Sequence, residues 1–188
     1  MARWNFTMHD AEMDLCIQRV AQGDTASFKA LYDAFYKPIY LFALAIVKDH
    51  QLAEDALQDT FLNLLACAKT YRPGTKPRAW MYSIARNAGI AALKNSPGRA
   101  FLSLDEIEQT ASTEAADLLE GNSIDGIEAL SILTPEERQI VFLYVYAGFR
   151  QPEIAKILQT PYNTVRSRYG YALKKLKRYY TREGGNAS

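Results

Sequence analysis

From residue 101 to residue 137 the chain carries ten acids and no Lys or Arg. The acids are Asp105, Glu106, Glu108, Glu114, Asp117, Glu120, Asp125, Glu128, Glu136 and Glu137, nearly half of the 21 in the chain. The stretch "SLDEIEQTASTEAADLLEGNS" within it is small and polar, with little apolar content. Such a segment buries too little apolar surface to offset the entropy of ordering it. A structureless run of about 25–30 residues is uncommon inside a compact domain. The chain is therefore expected to divide into a first domain at residues 1–95, a flexible acidic linker at 96–125 and a second domain at 126–188.

On both sides of the linker the apolar residues recur at helical spacing, and no strand-type alternation of useful length is present. Asp24 or Thr25 is placed to cap a helix through "ASFKALYDAFY". Pro38 is placed near the start of a further helix, "IYLFALAIVKD". A third helix is expected from about Gln51 to Ala68, with Leu52, Ala56, Phe61, Leu64 and Leu65 spaced for burial. "YRPGTKP" (71–77) reads as a loop, "RAWMYSIARNAGIAALKN" as a helix and "SPG" (96–98) as its stop. Thr134, Pro135 and Glu137 stand at the N-cap, first-turn and capping-box positions of another helix, which Gly148 ends. The expected fold is all-α, two small helical domains.

An apolar fraction of 48% is enough for a core. Cys16 and Cys67 lie far apart in apolar-periodic sequence and read as reduced, buried thiols. The two histidines, His9 and His50, are isolated, so no metal site is expected, and no motif calls for a cofactor. The N-terminus lacks the apolar stretch of a signal peptide, and the most apolar run, residues 38–47, is too short to cross a bilayer. A soluble cytoplasmic protein without membrane insertion is expected.

The charge missing from the linker reappears beyond it. "QTPYNTVRSRYGYALKKLKR" (159–178) holds Arg166, Arg168, Lys174, Lys175, Lys177 and Arg178 and no acid, in a chain of formal net charge +1. A short helix, "QPEIAKIL", and a tight turn, "QTP", precede a long helix, which is a helix-turn-helix pattern. Ile154, Ala155 and Leu158, with Val165, Tyr169, Ala172 and Leu176, fall on the inward faces. Asn163, Arg166, Ser167, Gly170 and Lys174 are left outward. Arg and Asn suit bidentate contact with guanine and adenine edges, and the later cations suit phosphates. A solvated basic helix is the plainer reading. A membrane-surface helix is the less apt one, because its apolar residues are accounted for as core.

These residues resemble a known family. "PEERQIVFLYVYAGFRQPEIAKILQTPYNTVRSRYGYALKKLKR" resembles region 4 of the extracytoplasmic-function sigma factors of bacterial RNA polymerase, and "AEDALQDTFLNLL" and "PRAWMYSIARN" resemble their region 2. The resemblance covers about residues 14–95 and 126–180. It implies core RNA polymerase and promoter DNA as partners, and an anti-sigma protein that holds the factor inactive. It implies a −35 reader built from Tyr162, Asn163, Thr164, Arg166, Ser167, Arg168 and Lys174. The −10 surface would comprise Tyr71, Arg72, Lys76, Arg78, Trp80, Tyr82, Arg86 and Asn87, with the loop at 71–77 capturing a flipped base. Aromatics that stack on bases beside cations that meet phosphates suit a single strand, and Arg78, Tyr82 and Arg86 share one helix face at i, i+4 and i+8. Glu54, Asp55, Gln58 and Asp59 would dock on polymerase, although a solvated face gives the same pattern. The chain departs from the family at Leu65, where Trp is frequent, and at Ala91, Asn163, Gly170 and Tyr171. No nucleophile–base pair or phosphate loop is present, so no enzyme is expected. The linker acids either imitate RNA phosphates or keep the linker extended. A stand-alone helix-turn-helix regulator and a protein-capturing module are the rival readings.

Overall fold

The computed structural model describes residues 8–96 and 130–183. Apart from Ser96, the expected acidic linker lies outside the described residues. The described residues form seven α-helices and no strand: α1 (Asp10–Val20), α2 (Thr25–Val47), α3 (His50–Cys67), α4 (Pro77–Asn95), α5 (Pro135–Val145), α6 (Gln151–Ile157) and α7 (Tyr162–Glu183), with a 3-10 turn at Ala68–Thr70. The all-α expectation holds. The sequence reading made no element of α1, a short helix whose Met13, Ile17 and Val20 are buried.

α2 corrects the sequence reading. Its cap is Asp24, which accepts from Ala26 N–H at 3.0 Å and Ser27 Oγ–H at 2.7 Å. The helix does not restart at Pro38 but runs through it. An interior proline removes a ladder amide and costs about 3 kcal/mol. Every residue from Pro38 to Val47 is buried, and each large aliphatic side chain taken from water returns about 1.5–3 kcal/mol. Burial therefore outweighs the break. The unbroken helix is long and apolar enough to cross a membrane, yet 67% of that apolar window is buried inside the protein. The burial accounts for its composition.

Lys48 ends α2 in the left-handed conformation, and Asp49 caps α3 by accepting from Leu52 N–H at 2.8 Å. Tyr40 and His50 Nδ1 share a buried hydrogen bond at this corner, and burial holds the His50 pKa below its ordinary value. α3 and α4 pack on α2. Gly89 of α4 faces Ile46, whose side chain would stand 3.2 Å from an added Cβ. Cys67 is exposed and Cys16 half-buried, so the thiols are free, and neither is buried as expected.

In the second block the capping box of Thr134 and Glu137 forms as the sequence indicated. α5 buries Ile140, Val141, Phe142 and Leu143 and leaves Tyr144 exposed. A turn with Gly148 at φ 74° then brings Phe149 inward.

The two blocks share apolar contacts. Phe42 of α2 lies 5.5 Å from Phe142 of α5, and Tyr82 of α4 meets Phe149 edge-on at 5.2 Å. Arg138 of α5 sits at the junction, only 4% exposed. Its guanidinium donates to Ala45 O at 3.0 Å, Leu130 O at 3.2 Å and Leu133 O at 3.1 Å. Burial lowers its pKa to about 10, so the group stays charged at neutral pH. Ala45 belongs to the last turn of α2, whose carbonyls lack partners within the helix and form the negative dipole end. Arg138→Ala strands the Ala45 and Leu133 carbonyls, while Leu130 O keeps the Leu133 amide, and denaturant unfolding is expected to show a loss of about 3 kcal/mol. Arg138→Lys should recover little of it, because an ammonium cannot reproduce the planar fork.

Candidate nucleic-acid and polymerase interfaces

α6 and α7 meet through a corner at which Gln159 takes φ 48° and Thr160 N–H reaches Ala155 O at 3.0 Å. The Pro161 carbonyl accepts from both Thr164 and Val165 N–H and so sets the first turn of α7. Val165 and Ala172 are fully buried, with Tyr169 and Leu176 packed beside them. Tyr169 lies 4.6 Å from the Tyr144 ring. This anchoring turns the other face of α7 outward. Asn163, Arg166, Ser167, Gly170, Tyr171 and Lys174 line one open notch of about 330 Å³. An added Cβ on Gly170 would meet nothing within 4 Å, so no packing among the described residues requires a glycine there. Tyr162 is exposed, while Thr164 and Arg168 are half-buried. Among the described residues no ion pair engages Arg166, Arg168, Lys174, Lys177 or Arg178. Lys175 differs, because its ammonium binds the Glu137 carboxylate at 2.7 Å. Burial alone would raise the pKa of Glu137, but the bond to Lys175 and the Thr134 amide hold it below the ordinary carboxylate value.

The eight residues assigned to the −10 surface are not equivalent. Arg72 and Asn87 are exposed. Tyr71 is half-buried, its ring 4.7 Å from Trp80 and its hydroxyl on Asp14 of α1. Lys76 is exposed and pairs with Glu153 of α6. Arg78 pairs with Asp10 at 2.9 Å, and its guanidinium lies 5.6 Å from the centre of the Phe149 ring. Arg86 is half-buried, and its Nε is buried without a partner among the described residues. Tyr82 departs from expectation. It is 1% exposed, held between Phe42 and Phe149, and so not on a solvent face with Arg78 and Arg86. The residues that cover it come from α2 and from the turn between α5 and α6, which helical spacing within α4 cannot reveal.

On α3, Asp55, Gln58 and Asp59 are exposed and Glu54 is half-buried. The same side continues through Leu62, 62% exposed, and Leu65, 43% exposed. Leu65 therefore corrects the expectation of burial, and Leu62 was missed. Among the described residues no group of His, Cys, Asp and Glu could hold a metal ion.

Two family matches cover well over half of the chain between them. Residues 31–96 match Sigma-70 region 2, and residues 127–176 match Sigma-70, region 4. The ECF RNA polymerase sigma factor SigL of Mycobacterium tuberculosis is 27% identical over 165 residues, spanning 86% of this chain and 93% of SigL. The chain belongs to the extracytoplasmic-function sigma factors.

Other sigma factors resemble it as well. CarQ of Myxococcus xanthus is 29% identical over 75% of this chain and 82% of its own length, and SigX of Bacillus subtilis 24% over 81% and 83%. The fold matches that of CnrH, solved in complex with the cytosolic domain of CnrY, at TM-score 0.65 and 19% identity over 90% of this chain and 97% of that one. It also matches RpoE of Bartonella quintana, solved with the anti-sigma factor NepR, at TM-score 0.63 and 22% identity over 82% and 96%. As a sigma factor the protein directs RNA polymerase to promoters.

The Glu137–Lys175 pair ties α7 to α5 across the intervening α6. A carboxyl whose folded pKa is depressed stabilises the fold above its unfolded pKa, near 4.3, and that contribution disappears as pH falls through the folded value. Glu137→Gln keeps the capping geometry but not the charge. It is expected to be about 0.5–1 kcal/mol less stable at pH 7, a partly exposed ion pair contributing no more. The gap should close in urea titrations carried from about pH 5 downwards.

Proposed function

We propose that this sigma factor divides promoter recognition between two surfaces, and that it acts by binding alone, without bond chemistry of its own. In this reading the N-terminal half of α7 enters the −35 major groove. Asn163 and Arg166 read base edges there, and Ser167, Arg168 and Lys174 fix the helix against the phosphates, with Tyr162 and Thr164 at its entrance. The supporting observation is the outer face of α7: base-edge donors and unpaired cations side by side, with no acid among them. The −10 strand is taken by the loop at residues 71–76 and the first turns of α4. The α3 stripe of Asp55, Gln58, Asp59, Leu62 and Leu65 docks on core polymerase, its carboxylates meeting cations and its leucines supplying apolar area. The site of action is the cytoplasm, where polymerase and DNA are.

A chain that worked alone on duplex DNA would not comigrate with core polymerase on gel filtration, and that result defeats the sigma reading. Run-off transcription from a randomised promoter library measures the rest. Arg166→Ala should lower promoter affinity about 5- to 150-fold and relax the base preference at one −35 position. Lys174→Ala should weaken all sequences alike and reduce the slope of log affinity against log salt by about one.

CnrH and RpoE are each solved with an inhibitory or cytosolic partner, and a protein of that kind is proposed to hold this sigma factor too. The contacts across the two blocks support a further feature of the reading. Lys76, Arg78 and Tyr82 all meet α6 or Phe149, so −10 engagement requires the blocks to part. A cross-link made by a bis-maleimide with an internal disulfide between Lys76→Cys and Glu153→Cys, in a Cys67→Ser background, should abolish run-off transcription. A reductant should restore it. Full activity of the cross-linked protein would mean that the blocks need not separate.

A further inference from the structure

The loop at residues 71–76 is held by a residue from another helix. Asp14 of α1 accepts a hydrogen bond from the Tyr71 hydroxyl on Oδ1 and from Gly74 N–H, at 3.0 Å, on Oδ2. The first of these spans 57 residues of sequence and the second 60. Thr75 Oγ–H donates to Arg72 O at 2.8 Å and lies 3.3 Å from the Tyr71 hydroxyl. Gly74 takes φ +74°, which suits the second central position of a Pro–Gly turn, and an added Cβ would meet nothing within 4 Å. The glycine is therefore there for the backbone angle and not for room. One carboxylate thus ties both limbs of the turn, leaving the Arg72 side chain exposed beyond it.

A carboxylate beside a surface that receives DNA repels phosphate, so its presence needs a reason. Burial and the Asp14 bond push the Tyr71 phenol up to about 12, so it remains a neutral donor at neutral pH. Charge-assisted bonds of this kind are roughly twice as strong as neutral ones and fix direction. A loop already held in its bound shape loses less entropy when a base enters it.

We propose that Asp14 is the positioning residue of the −10 element: through Tyr71 and Gly74 it holds the loop open and shaped for an extruded base, without touching the base itself. This rests on the −10 reading of residues 71–76. Asp10 acts similarly one turn earlier by pairing with Arg78, so the face of α1 carrying both acids supports the whole strand-binding edge.

The test uses the full chain bound to core polymerase and fork-junction DNA that the wild-type holoenzyme selects from a pool with a randomised −10 segment. 2-Aminopurine replaces each unpaired base in turn and brightens when a base leaves the stack. Asp14→Ala should reduce fork affinity and the 2-aminopurine signal about ten-fold, with core-polymerase and −35 duplex affinities unchanged. Asp14→Asn keeps the shape and one acceptor but turns an NH2 toward the other donor, and an intermediate loss is expected. Tyr71→Phe should add nothing to Asp14→Ala, because the second change removes a bond already gone. A purely structural role would weaken core, −35 and −10 binding by one common factor, and that result overturns the proposal, as does wild-type base capture by Asp14→Ala. If the wild-type holoenzyme selects no −10 sequence at all, the −10 reading of the loop fails first.

Discussion

Between Pro38 and Val47, α2 has no residue left in water, and the rest of the molecule is arranged around that fact. A helix buried on every side must have neighbours on every side, and α1, α3, α4 and α5 supply them. Its last carbonyls must also be satisfied without solvent. Lys48 N–H takes the Leu44 carbonyl by closing the helix in a left-handed cap, and Arg138 takes that of Ala45 from across the junction. The second helical block is therefore joined to the first at a place where the central helix needs a donor. The contacts of Phe142 and Phe149 follow from where that join falls.

The near-neutral total charge conceals a sorting of cations into two kinds. Lys76, Arg78 and Lys175 pair with Glu153, Asp10 and Glu137 and hold helices together. Arg166, Arg168, Lys174, Lys177 and Arg178 have no such partner among the described residues. Local field rather than net charge steers a polyanion, and the unpartnered set lies along one helix. The unpaired cations of α7 are thus distinct from those that pair within the fold, so they can be altered without loosening it, whereas Lys76 and Arg78 are already engaged in ion pairs.

What could be read in the sequence was what depends on near neighbours. The capping box of Thr134 and Glu137, the corner before Pro161, and the inward Val165 and Ala172 of α7 all have their causes within a few residues. Pro38 misled because its local penalty is real, and the burial that overrides it is tertiary. Leu65 has core spacing yet faces solvent, because spacing selects a helix face and cannot say what covers it. Tyr82 is the reverse case, exposed by spacing and covered by Phe42 and Phe149. Arg138 and Asp14 were silent because their partners are backbone groups and a hydroxyl far along the chain, with no complementary charge to signal them. α1 had its cause close at hand, with Met13, Ile17 and Val20 at i, i+4 and i+7 on one buried face, and yet was missed.

The Arg138 joint has a consequence for how the protein responds to its solvent. Its countercharge is a helix end and two further carbonyls rather than a carboxylate, and it is shielded from ions by burial. Exposed charge pairs and phosphate contacts weaken steeply as ionic strength rises, whereas a buried dipolar contact is scarcely screened. Salt therefore acts unequally on these contacts. Rising ionic strength weakens phosphate contacts and the exposed pairs Lys76–Glu153 and Arg78–Asp10 well before it reaches the Arg138 joint, so the two blocks keep that tie when the others loosen.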